Sequence, residues 1–250
     1  MNHLYLVENE EELRRYQRFA AGIQPQLEEY IAFLKKEFAA AQLPSAIVWT
    51  GGSTATSQIS SIPIPAYTND FRIVMCPDLC TWKSLYLRQL DGLEENDAVG
   101  KIRHYYDSEM NQNHILQILG HELAHHCELF LDDFNTDLSD GIWFEEGMVE
   151  YISRRYFLSS AEFEAESEIN QLLVELLTPC YGNHSLEEFG AATYAGNYAS
   201  IFFEYWRSFL AVKTVIDMHH GDIQSVFRAY HEWNRAGTEK SLSQWFGIES

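Results

Sequence analysis

The segment from Asn111 to Leu131 constrains this chain more than any other. Ile115, Leu116, Ile118, Leu119 and Leu123 line it with apolar side chains at helical intervals, which predicts a helix facing a core. Asn111 or Asn113 can cap its start, because a short amide side chain accepts from the free N–H groups of a first turn. Set into this run are His121, Glu122 and His125. Residues four apart project from one face of a helix, so two imidazoles there can reach one divalent ion at roughly 2.0–2.1 Å. Glu122 follows the first histidine directly and points to the side of such an ion, where its carboxylate can take a proton from water.

A zinc ion used in catalysis needs a third protein ligand and an open fourth position. The stretch Ile142-Trp-Phe-Glu-Glu-Gly-Met-Val-Glu-Tyr151 supplies carboxylates on a second expected helix, Ile142–Leu158, with Asp140 as its cap. The break at Asp132–Gly141 is long enough to turn that helix back against the first.

These motifs together resemble the gluzincin metallopeptidases. His121-Glu-x-x-His125 followed by Trp143-Phe-Glu-Glu146-Gly-Met-Val-Glu-Tyr151 is similar to the aminopeptidase-N and leukotriene-hydrolase branch. By that resemblance Glu146 is the third zinc ligand and Glu145 stands where the branch usually has asparagine. Glu150, one turn on, stands where thermolysin-like members have an acidic residue that hydrogen-bonds a ligand histidine, which fixes its tautomer. The resemblance also implies a tyrosine that donates to the developing oxyanion, and Tyr194 matches its position, with Tyr198 one turn away as the alternative. Gly196 and Asn197 replace the usual basic residue and glycine. An edge strand that pairs with extended substrate is expected beside the active-site helix, and Phe71–Cys76 is its candidate. The glycine-alanine-methionine-glutamate-asparagine segment of true aminopeptidases has no counterpart, so exopeptidase specificity does not carry over.

Composition narrows the partners. The formal charge is −20, from 37 acidic and 17 basic residues. Such a surface repels phosphate backbones and argues against nucleic acid. No stretch approaches the roughly 18 apolar residues that would cross a bilayer, and the first residues lack a signal-peptide pattern. A cytoplasmic protein acting on peptides or a protein substrate is expected, with Cys76, Cys80, Cys127 and Cys180 as reduced thiols.

Along the chain, apolar spacing predicts helices over Glu10–Ala41, divided at Pro25. Strands are expected at Ala46–Thr50 and Phe71–Cys76, and helices from Pro77 onward. Ser185-Leu-Glu-Glu188 matches a capping box opening the C-terminal helices, and Gly221-Asp222 reads as a stop and a fresh start. The expected class is α+β: a mostly helical, zincin-like catalytic domain with a small mixed sheet. Residues 1–110 would form N-terminal helices plus the small sheet, and residues 111–250 the helical zinc-binding part, the two making one continuous compact domain. His126 reads as a surface residue or as support for the ligands, and His114 as exposed or lining the cleft. The functional expectation is a zinc peptidase with Glu122 as general base. The alternative is an inactive zincin fold that binds metal for regulation or interaction, for which a base at position 122 has no use.

Overall fold

The computed structural model describes residues 1–59, 64–131, 141–237 and 239–248. It is an α+β fold, predominantly helical with one small mixed sheet. The described residues include four strands: β1 (Asn2–Leu6), β2 (Ala46–Thr50), β3 (Ala66–Thr68) and β4 (Arg72–Met75). The helices are α1 (Glu10–Phe38), α2 (Gly52–Thr54), α3 (Leu79–Leu87), α4 (Asp97–His104), α5 (Gln112–Ala124) and α6 (Ile142–Phe157). The series continues with α7 (Ser160–Tyr181), α8 (Ala191–Tyr194), α9 (Tyr198–Met218), α10 (Ile223–Ala236) and α11 (Leu242–Phe246). No helix among the described residues is long and apolar enough to cross a membrane. The chain divides into two units, Met1–Glu128 with Ile152–Ser159, and Leu129–Tyr151 with Ser160–Ser250.

In the first unit the strand order is β1-β2-β4-β3. β1 and β4 flank β2 in parallel, with Asn2 opposite Ala46 and Ala46 opposite Arg72, while β3 runs antiparallel to β4. Parallel β1 and β2 need a crossover, and α1 supplies it. Asn9 caps this helix by accepting from the Glu12 N–H; three glutamates follow in the first turn and two lysines occupy the last, matching the helix dipole at both ends. Its buried stripe, Tyr16, Ala20, Ile23, Leu27, Tyr30, Leu34 and Phe38, repeats at three and four residues.

Pro25 does not divide the helix; α1 runs through it unbroken. Proline frees the carbonyl four residues earlier, here that of Ala21. Both residues lie on the exposed face, where water can take the freed group. The strand Phe71–Cys76 is also placed differently from expectation. It is β4, an interior strand, and the edge beside α5 is the three-residue β3.

The Tyr30 hydroxyl donates to the Gly120 carbonyl at 3.0 Å and ties α1 to α5. A Cβ at Gly120 would lie 2.5 Å from the Phe157 ring and 3.1 Å from Tyr30, so glycine is what lets α5 approach both.

The second unit is helical. Phe144 stacks with Tyr230 at 4.4 Å and with Phe246 at 5.6 Å, and Phe227 packs edge-on against it. α6 meets α9 at Gly147, where a Cβ would strike the Ser208 carbonyl and sit 2.5 Å from Val212. The Ser185 capping box forms, but it heads a single 3-10 turn at Leu186–Glu188; the long helix α9 starts later, capped by Asn197. Gly221 adopts φ +82° and Asp222 caps α10, as the stop-and-start pattern anticipates.

Candidate metal centre

Asn111 caps α5: its side chain accepts from the Asn113 N–H, and the His114 Nδ1 accepts in return from the Asn111 N–H at 3.1 Å. His114 is therefore a buried capping residue, with its Nε2 2.8 Å from the Tyr105 hydroxyl, rather than an exposed or cleft-lining one. From this anchored start the helix carries His121 and Glu122, both buried, to its last turn.

The helix ends at Ala124, well short of Leu131, and His125 is its C-cap, with its N–H still directed to the His121 carbonyl. Two tighter bonds close the end: the N–H of His126 to Leu123 and that of Cys127 to Ala124. The side chain of His126 explains the turn, since its Nε2 lies 2.8 Å from the Thr68 hydroxyl on edge strand β3. Burial, together with the neighbouring His125 ring, pushes the His126 imidazole down to about 4 and keeps it neutral. Beyond Cys127 the chain leaves for the second unit, where Phe130 packs on Phe227.

Helix phase survives this early end. His121 Nε2 and His125 Nε2 are 3.2 Å apart. Two donors on a tetrahedral ion with bonds of 2.0–2.1 Å would be separated by roughly 3.3 Å. The pair is therefore spaced to grip a single ion.

Helix α6 begins in the second unit and finishes in the first without interruption. Its Ser153 hydroxyl accepts from the Gln117 amide at 3.2 Å. Gln117 is one turn before His121, and Ser153 is two turns after Glu146, so each contact residue shares a helix face with a ligand candidate. One ligand atom from each of His121, His125 and Glu146 lies within 4.8 Å of the others. Among the described residues no other such group of histidine, cysteine or carboxylate side chains occurs, and Cys76 and Cys80 belong to none. Two imidazole nitrogens and a carboxylate oxygen form a donor set that could hold a divalent metal ion.

Glu146 is buried, and its Oε1 accepts from two phenols: Tyr194 at 3.1 Å and Tyr205 at 3.2 Å, whose hydroxyls are themselves 3.1 Å apart. Tyr194, the tyrosine matched by position, thus lies at Glu146, the candidate third ligand, whereas Tyr198 stacks on Phe202. Sequence reasoning missed Tyr205. Its only signal was placement within an aromatic-rich helix, where a phenol needed for hydrogen bonding and one packed as core look alike. Glu145 and Glu150 are half-buried on α6, flanking Glu146. The Asp140 cap lies outside the described residues.

Compared with protein-family models, curated proteins and solved structures, the chain matches none.

Proposed function

We propose that this protein is a zinc-dependent hydrolase, a peptidase of the gluzincin kind, acting on peptides or a protein substrate in the cytoplasm. The observation that carries the reading is the convergence of His121, His125 and Glu146, with Glu122 one residue beyond the first ligand. When bound there, zinc would lower the pKa of a water molecule and polarise a scissile carbonyl. Glu122 is the general base: it takes the proton as water attacks and hands it to the leaving amine. Tyr194 offers its phenol to the oxygen on which charge develops. β3, beside α5, is the edge strand of the sheet among the described residues, and an extended peptide could join it by main-chain hydrogen bonds.

Elemental analysis of the purified wild type beside His125→Ala and Glu122→Gln, with turnover on a peptide library, tests this. One equivalent of zinc is expected in the wild type and in Glu122→Gln, and none in His125→Ala. Turnover by Glu122→Gln should fall on the order of 10²–10⁴-fold. A fully active Glu122→Gln enzyme would remove the base from the mechanism. Stoichiometric zinc without hydrolysis of any peptide would favour a metal-binding regulatory module instead.

A further inference from the structure

We infer that Tyr205 is a positioning residue for the third ligand: its phenol holds the Glu146 carboxylate in place for the metal, and Tyr194 is not required for that task. The inference rests on the metal-centre reading above. Both phenols donate to the same oxygen, Oε1, which an ionised carboxylate can accommodate. Their mountings differ. Tyr205 projects half-buried from within the long helix α9, its ring edge-on to Phe189 at 5.6 Å. Three residues on, the Ser208 carbonyl closes against Gly147, the neighbour of Glu146. Backbone contact between α6 and α9 therefore sets the reach from the Tyr205 hydroxyl to the carboxylate. Tyr194 instead ends the one-turn helix α8 and is followed by exposed Ala195, Gly196 and Asn197. Its hydroxyl can leave Glu146 for a substrate without shifting a packed helix, while Tyr205 keeps the ligand oriented.

Tyr205→Phe and Tyr194→Phe, each removing one hydroxyl, separate the two duties. Zinc affinity is measured by competition with a chromophoric chelator, and the cobalt-substituted proteins are compared by their visible d–d absorption. Tyr205→Phe should weaken zinc on the order of 10–100-fold and change the cobalt spectrum. Tyr194→Phe should cost about threefold or less and leave the spectrum unchanged. Melting of the metal-free proteins shows whether each variant retains its fold, so that a loss of zinc is not mistaken for a loss of structure. Wild-type affinity and spectrum in Tyr205→Phe, or equal losses in both variants, would overturn the inference while leaving the metal centre intact. A wild type that takes up no zinc would overturn the metal-centre reading as well.

Discussion

His121 Nε2 and His125 Nε2 face one another at 3.2 Å, although His125 lies just past the last residue of its helix. The separation suits one shared ion, so the folded state should bind zinc far better than the unfolded chain. Linkage then makes stability depend on the metal. With free zinc a thousandfold above Kd, the gain is about 4 kcal/mol. Calorimetry with zinc and with chelator should show a clear rise in Tm in the wild type and none in His121→Ala.

Each helix that carries a candidate ligand has a glycine beside it, Gly120 before His121 and Gly147 after Glu146, and the two should respond unequally to alanine. At Gly147 the obstacle is the Ser208 backbone, which cannot swing aside; at Gly120 it is mainly the Phe157 ring, which has some freedom. Overpacking of this kind costs about 1–3 kcal/mol, and Gly147→Ala should be the worse of the two. Gly22 and Gly100 lie on exposed helical faces with open space around them. Alanine there should stabilise by roughly 0.5–1 kcal/mol. Urea denaturation of the four variants checks the order.

Pro25 sits in the middle of α1 on its exposed face. Alanine restores the missing hydrogen bond to Ala21 and removes a steric conflict in the helix. Pro25→Ala should raise stability by about 1–3 kcal/mol. An unchanged urea midpoint would mean that the helix accommodates the proline without penalty.

Burial lifts the Cys76 thiol from 9.0 to about 11. Below pH 9 the folded and unfolded chains both keep this proton, and its contribution to stability is fully present. As pH rises from 9 to beyond 11 the unfolded chain releases it first, so stability falls, by about 3 kcal/mol in total for this group. Cys76→Ala should show a flatter dependence of the urea midpoint over that interval. In the folded wild type, a thiol reagent should modify exposed Cys80 and Cys180 rapidly, and buried Cys76 and Cys127 only on unfolding.

Much of the site was legible in the chain because it depends on local geometry. Asn111 or Asn113 announces the start of α5, which Asn111 caps; a spacing of four pairs the histidines, and the motif around Trp143 marks α6, whose observed start at Ile142 agrees with expectation. The strand over Ala46–Thr50 was equally plain from its apolar β-branched residues. By contrast, β3 has three residues, too few for an alternating pattern to register, yet it is the edge beside α5. The end of α5 at Ala124 was hidden for a similar reason, since the contact that draws His126 aside comes from Thr68, 58 residues earlier.

What the sequence determined by itself is the phase of each helix, because 3.6 residues per turn follow from backbone hydrogen bonds between near neighbours. That was sufficient to place His121 and His125 on one face and to put Glu146 on the next helix. The nearness of the carboxylate to the imidazoles, and the meeting of Tyr205 and Tyr194 on its Oε1, came from contacts between distant segments. Those meetings depend on how closely helix backbones approach, as at Gly120 and Gly147, and close approach is set by packing between segments remote in sequence rather than by any local pattern.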